Sequence, residues 1–153
     1  MATLHLMVGL PCSGKTTLAK KLEHDLPALR LTPDEWMIKV VEDAYDEPKR
    51  AIVEGMLWQI AARVLALGSD VVLDYGFWSK EERADFRQRA AQVGADMKIH
   101  FLDVPREALH QRLIERNENL PEYAVHIQPS DLDEWLRWFE PPSAEELSRN
   151  PNE

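Results

Sequence analysis

Gly9-Leu10-Pro11-Cys12-Ser13-Gly14-Lys15-Thr16 follows the apolar run Thr3–Val8 and leads into a helical stretch, Thr17–Asp25. The eight residues fit G-x-x-x-x-G-K-[ST] without deviation, in the strand–turn–helix setting that the pattern requires. Gly9 and Gly14 permit tight turns and close approach of backbone to an anion. Successive N–H groups at a helix start form an anion nest, reinforced by the helix dipole. Lys15 brings charge to the β- and γ-phosphates, and the Thr16 hydroxyl can ligate Mg²⁺. Gly9, Pro11, Cys12, Ser13, Gly14, Lys15, Thr16 and Thr17 are therefore the expected nucleotide-binding residues, with ATP and Mg²⁺ as ligands. Cys12 stands at a variable position and reads as a small filler residue.

Outward from this loop, strands and helices alternate. Ala28–Leu31 reads as a second strand, and Thr32-Pro33-Asp34-Glu35 as a capping box with proline at the first helical position. Pro48–Leu67 carries a wide apolar stripe at helical spacing and stops at Gly68. Asp70–Leu73 is a third strand. Ser79-Lys80-Glu81-Glu82 caps a helix to about Val93, and Met97–Leu102 is a fourth strand. Pro105 opens a helix to about Asn117, and Ser130 caps a last one to about Phe139. This order predicts an α/β P-loop NTPase fold: a central parallel sheet of four or five strands, helices on both faces, and a helical lid over about 112–129. The domain is expected over 1–139. Glu140–Glu153, rich in Pro, Ser, Asn and Glu, reads as a flexible acidic tail.

In such sheets ligands bind beyond the carboxyl ends of the strands. Asp34 lies just past strand two, where a helix-dipole carboxylate would be unremarked in isolation. Beside a phosphate loop it reads as a general base for an acceptor hydroxyl. Asp74 ends Val71-Val72-Leu73-Asp74, an apolar strand finishing in a carboxylate, suited to hold Mg²⁺ or to orient the acceptor. Arg112 and Arg116 share a helix face and are candidate lid cations for the transferring phosphoryl group. Trp36, Tyr75, Phe77 and Trp78 flank the two carboxylates and are candidate acceptor walls, with Arg83 a candidate for an anionic group on the acceptor. Leu132, Trp135, Leu136 and Phe139 form a helical stripe read as core packing.

Composition bounds the partners. The chain has 153 residues, with 44% hydrophobic and 29% charged, which fits one globular domain and excludes a disordered chain. A single cysteine excludes an intrachain disulfide and a multi-thiolate zinc site. The lone thiol suits a reducing compartment, and the start of the chain has no basic n-region, so a cytoplasmic location without a signal peptide is expected. No run of residues is long and apolar enough to span a membrane. Net charge is −9, of which −5 falls in residues 131–153, and no Lys/Arg run appears. A general nucleic-acid binder usually presents a basic face, so that partner is disfavoured.

The segments 9–17, Thr32-Pro33-Asp34-Glu35-Trp36, Leu73-Asp74-Tyr75-Gly76-Phe77-Trp78, Asp103-Val104-Pro105 and Arg112-Leu113-Ile114-Glu115-Arg116-Asn117 together resemble small bacterial P-loop kinases. These are similar to the kinase domain of phage-type polynucleotide 5′-kinase, zeta-toxin kinases and chloramphenicol phosphotransferase. The resemblance runs from Met1 to about Phe139. It implies phosphoryl transfer from ATP to a hydroxyl, with Asp34 as base, Asp74 positioning the acceptor, and Arg112 and Arg116 in the lid. Polynucleotide kinases carry an arginine three residues past the base, which helps hold the acceptor, and here that residue is Met37. A small-molecule hydroxyl acceptor is the expectation. A polynucleotide 5′-hydroxyl kinase, or a nucleotide-dependent switch or ATPase without an acceptor, are the alternatives.

Overall fold

The computed structural model describes residues 1–120 and 126–151. Four parallel strands, β1 (Thr3–Val8), β2 (Ala28–Leu31), β3 (Asp70–Gly76) and β4 (Asp96–Phe101), form one sheet in the order β2-β3-β1-β4. In register, Leu6 lies between Leu73 and Ile99, and Val8 between Gly76 and Phe101. Because β1 and β3 are flanked on both sides, their residues read as continuous apolar runs rather than alternating ones. Leu4, Leu6, Met7, Val8, Val71, Val72 and Leu73 are all fully buried.

The helices are α1 (Lys15–Asp25), α2 (Pro33–Trp36), α3 (Glu47–Ala66), α4 (Lys80–Gln92), α5 (Arg106–Glu118), α6 (Pro129–Trp138) and α7 (Ala144–Ser148). One sheet face packs Leu4, Leu6, Val8 and Leu73 against Leu57, Ala61 and Leu65 of α3 and Phe86 and Ala90 of α4. The other face packs Met7 and Val72 against Ala19 of α1. A separate cluster joins Leu10 of the phosphate loop to Leu109 and Leu113 of α5 and Leu132 of α6. The strand order reverses direction between β1 and β3, and the crevice at their carboxyl ends is where this architecture binds ligands.

Two sequence expectations change at α2. Thr32 makes no side-chain cap hydrogen bond. Its hydroxyl turns to Asp74, and Glu35 instead takes Arg30 at 2.9 Å. The short helix then continues as a π-helical segment, Met37–Val41, which closes at Glu42 in the left-handed region. Strand β3 also runs on past Leu73 to Gly76, so Asp74 sits within the strand rather than in the loop after it.

The expectation of a flexible tail is overturned for its described part. Ser143 and Glu146 form a reciprocal capping box that starts α7, and Leu147 packs on the main core. Asn150 accepts from the Ile99 backbone N–H at 2.8 Å and donates to the Ile99 carbonyl at 2.9 Å. Its side-chain amide thus satisfies backbone groups on β4, an edge strand that would otherwise present them unpaired. Arg83 is corrected with it. That guanidinium is 1% exposed and does not face the crevice. It donates to both Glu146 carboxylate oxygens, at 2.7 and 3.3 Å, and to the Phe77 carbonyl at 2.9 Å. Arg83 holds α7 to the sheet and is not among the residues that line the crevice.

Removing one partner of a buried ion pair leaves the other charge uncompensated. Arg83→Ala is expected to lower unfolding free energy by about 3–5 kcal/mol. Urea titration followed by circular dichroism checks this, and unchanged stability would show that the Arg83–Glu146 pair does not anchor α7.

Candidate functional site

The phosphate loop is shaped by its backbone. Cys12 and Gly14 both have positive φ, at 68° and 95°. A Cβ at Gly9 would lie 2.7 Å from Ser13 Oγ, so the loop closes on itself only with glycine there. Gly9 N–H donates to the Gly76 carbonyl at 3.1 Å, tying the loop to the end of β3. Helix α1 begins at Lys15 with no side-chain cap and no acid in its first turn, so its positive end stays open to an anion. The Ser13 hydroxyl is buried without a hydrogen-bond partner among the described residues. Lys15 Nζ donates to the Leu10 carbonyl at 3.0 Å. Burial lowers its pKa, opposed by the negative charges of Asp74 and then Asp34. An orphaned hydroxyl, a desolvated ammonium and an uncapped helix start are the groups a triphosphate would satisfy.

Asp74 is the hub behind this loop. It is 6% exposed, and its Oδ2 accepts from Thr16 Oγ1 at 2.7 Å and Thr32 Oγ1 at 3.1 Å. Arg30 Nη1 donates to the Thr32 hydroxyl at 2.6 Å, which orients it to donate onward. A threonine hydroxyl and one carboxylate suit Mg²⁺, which keeps several waters and takes few protein ligands. Among the described residues, no three His, Cys, Asp or Glu side chains converge as a metal cage.

A cleft of about 880 Å³ opens from the loop. Pro11, Cys12, Gly14, Lys15, Thr16 and Thr17 line one end of it, with Asp34 and Asp74 in the wall beyond. Asp34 is half exposed and paired through Oδ1 with Arg50 Nη2 at 2.5 Å. Arg50 also donates to the Ala44 carbonyl at 3.1 Å, which fixes its guanidinium across the entrance to α3. Of the lid candidates, Arg116 lines the cleft, with Nη1 3.9 Å from Cys12 Sγ. Arg112 lies against the loop itself, donating to the Cys12 carbonyl at 3.3 Å. Residues 121–125 of the expected lid lie outside the described residues. Around them, Tyr45 donates to the His126 carbonyl and Asn117 to the Ile127 carbonyl, joining both flanks of the cleft.

The aromatic residues divide. Tyr75 and Trp78 line the cleft. Trp78 is also structural, donating from Nε1 to the Gly9 carbonyl at 3.2 Å and packing on Trp135. Phe77 is 1% exposed, in the left-handed region at φ 47°, and stacks on Tyr75, so it is core that only edges the cleft. Trp36 is exposed and is not among the lining residues, which corrects its expected place. Trp135, expected in the core stripe of α6, lines the cleft together with Trp138.

Sequence reasoning missed Arg50, Glu54 and Glu82, which line the far end of the cleft. The first two lie on the helical stretch of Pro48–Leu67, where they look like ordinary solvated charges. Glu82 looks like a capping-box partner. A spacing of i, i+4 between Arg50 and Glu54 was the one visible signal. Desolvation pushes the Glu54 carboxyl up to about 7, reinforced by Glu82, Glu47 and Asp34 and opposed by Arg50. Glu82 is likewise raised by burial. Burial together with Glu54 raises the Tyr75 phenol, whose oxygen has no hydrogen-bond partner among the described residues.

Residues 4–142 match the family described as AAA domain. The chain belongs to that family. A search of curated protein sequences found no match. Among solved structures, a kinase-designated protein from Chloroflexus aurantiacus aligns with TM-score 0.73 at 19% identity, covering 93% of this chain and 82% of that one. A gluconokinase from Sinorhizobium meliloti aligns with TM-score 0.61 at 19% identity, covering 94% and 77%. The Pnkp1/Rnl/Hen1 RNA repair complex holds a chain that aligns with TM-score 0.76 at 19% identity, over 90% of this chain and 43% of that one. The fold is that of P-loop kinases.

Lys15→Ala is expected to abolish measurable ATP binding by calorimetry while the circular dichroism spectrum stays that of a folded protein. Wild-type affinity in the folded variant would reject the phosphate-loop assignment. Glu54 gives a stability prediction with a definite sign. Its folded pKa of about 7 exceeds the ordinary 4.5, so the folded chain holds a proton that the unfolded chain has released between those values. Stability is therefore lost as pH rises through that window. Glu54→Gln should raise Tm at about pH 8 by roughly 2–4 °C, equivalent to about 1 kcal/mol once partial exposure is allowed for. The difference should vanish near pH 4. A Tm gap that is constant with pH would contradict it.

Proposed function

We propose that this protein is a phosphotransferase that moves the γ-phosphate of ATP to a hydroxyl of a small molecule. The observation that carries the reading is that Asp34 and the phosphate loop line one cleft, with Asp74 behind both. Lys15 and the loop N–H groups would hold the β- and γ-phosphates. Thr16 and Asp74 would hold Mg²⁺, which when bound would offset the developing charge on the transferring group.

Asp34 is the proposed base. Arg50 occupies its Oδ1 and leaves Oδ2 to accept the acceptor's hydroxyl proton. As that proton moves to Asp34, the acceptor oxygen bonds to γ-phosphorus, the bond to the β,γ-bridging oxygen breaks, and ADP leaves. Arg116, and Arg112 against the loop, would stabilise charge on the equatorial oxygens. Arg50 is the proposed positioning residue for the base. Met37 supports a small acceptor over a nucleic acid 5′ end: it is fully buried in the position where polynucleotide kinases carry an arginine. Arg50 does bring a guanidinium near the base, but it faces both Asp34 and Glu54, which leaves no net positive charge there.

Asp34→Asn keeps the shape but loses the base. It should leave ATP affinity within a few-fold and lower transfer by roughly 10²–10⁴. Transfer of labelled phosphate to 5′-hydroxyl RNA and DNA oligonucleotides, beside a panel of hydroxylated metabolites, separates the acceptors. Efficient oligonucleotide labelling, with a KM rising by orders of magnitude between about 50 and 200 mM salt, would replace the small-molecule reading with a polynucleotide one. ATP hydrolysis unaffected by Asp34→Asn, with no phosphorylated product, would instead favour a switch.

A further inference from the structure

The acceptor end of the cleft has an unusual chemical balance. Glu47, Glu54 and Glu82 line it, with Asp34 beside them, and Arg50 is the cation among these. Arg50 is committed to Asp34 and the Ala44 carbonyl, and its nearest approach to Glu54 is 3.9 Å. Neither the Glu54 nor the Glu82 carboxylate has a hydrogen-bond partner among the described residues. The Tyr75 hydroxyl next to them is buried and also lacks one. Arg89, the other cation facing Glu82, is held by Asp85 at 2.9 Å and lies over the Phe86 ring at 4.6 Å. Arg83, beside Glu82 in sequence, is bound to Glu146. Tyr75 is the aromatic neighbour of these carboxylates, and Trp78, Trp135 and Trp138 line other parts of the same cleft.

Two partly desolvated carboxylates, neither hydrogen-bonded and one with only a guanidinium at 3.9 Å already committed to Asp34, await hydrogen-bond donors or positive charge. An anionic acceptor would meet only repulsion there. A neutral polyol would supply donors but leave the charges uncompensated. An organic cation would satisfy both carboxylates, and its alkyl or ring carbons would pack on aromatic faces that themselves attract cations. The acidic residues do not create this site, which the phosphate loop and Asp74 define independently. They decide which acceptor fits it.

Resting on the phosphotransferase reading above, we propose that the acceptor is a hydroxylated organic ammonium compound, its cationic nitrogen held by Glu54 and Glu82 beside the Tyr75 ring while its hydroxyl faces Asp34. The size of the cleft leaves room for a compound larger than a simple amino alcohol. No new covalent step is involved. These three residues act on specificity and positioning, not on the proton or the phosphoryl group.

The test uses fixed-charge and matched neutral probes. Choline and its uncharged tert-butyl analogue share shape and differ in charge. An aminocyclitol antibiotic such as kanamycin and its N-acetylated form extend the comparison to larger acceptors. Binding is read by calorimetry in the presence of a non-hydrolysable ATP analogue, and transfer by labelled ATP. The expected result is that at least one cationic probe binds tenfold or more tightly than its neutral partner. For choline that affinity should rise as pH goes from about 6 to 8, because the Glu54 carboxyl ionises while the quaternary charge stays fixed. Glu54→Gln should weaken it at least tenfold and flatten the pH profile, and Glu82→Gln should weaken it similarly. Calorimetry of the ATP analogue alone monitors the phosphate loop in each variant.

Metabolite extract incubated with enzyme and labelled ATP supplies the unbiased arm, with mass spectrometry of the labelled product. A product carrying a basic nitrogen supports the inference. A neutral or anionic product formed in a Lys15-dependent manner overturns it and leaves the phosphotransferase reading standing. Equal binding of charged and neutral probes, or no binding of any cationic probe, also overturns it. Absence of transfer to any acceptor, with the cationic preference in binding intact, would count against the phosphotransferase reading instead.

Discussion

One carboxylate oxygen, Asp74 Oδ2, accepts hydrogen bonds from Thr16 and Thr32, and the site depends on that pair of contacts. Thr16 belongs to α1, Thr32 to the turn between β2 and α2, and Asp74 to β3. The three segments are far apart in the chain, and the sheet order β2-β3-β1 brings their ends together. A buried carboxylate is costly unless it is hydrogen-bonded, so the two hydroxyls are part of what allows Asp74 to exist there at all. The same bonds set the distance between the phosphate loop and the helix that carries Asp34. Thr32 directs its hydroxyl to Asp74 and makes no cap hydrogen bond to α2, which is one turn long and continues as the π-helical segment Met37–Val41.

The second organising constraint is Arg83. Its buried guanidinium links the Phe77 carbonyl, at the end of β3, to Glu146 in α7. Phe77 adopts positive φ immediately after Gly76, which turns the chain away from the strand and leaves Tyr75 and Trp78 toward the cleft. The far end of the chain thus supports the geometry of the site from behind. Asn150 does a related service at the sheet edge, covering the Ile99 backbone where an unpaired strand would invite association.

The two halves of the cleft differ in how legible they were. The phosphate half was legible because its chemistry needs fixed residue types at fixed short spacing: glycine where backbone must approach phosphate, lysine for charge, threonine for a hydroxyl. Asp34 and Asp74 could be located because parallel α/β topology delivers strand ends to one crevice. The acceptor half was not. Glu54 and Glu82 sit on helices whose local sequence explains them as solvated charge or cap, and only tertiary packing beside Tyr75 desolvates them. Trp36 and Arg83 failed in the opposite direction. Each is near a functional residue in sequence, yet helix geometry turns Trp36 to solvent and a distant glutamate captures Arg83.

The sequence by itself determined the strand–loop–helix start, the alternation of elements, the parallel sheet and the candidate phosphate-binding residues. All of these rest on local rules: hydrophobic period, conformational freedom of glycine, and the short spacing of a backbone nest. Tertiary structure alone decided that Arg50 would pair with Asp34, that Trp135 and Trp138 would wall the cleft, and that the tail would dock on β4. It also decided that Glu54 would lose enough water to titrate near neutrality. These are contacts between residues distant in sequence, and their energies depend on burial and partner distance, which no local pattern encodes.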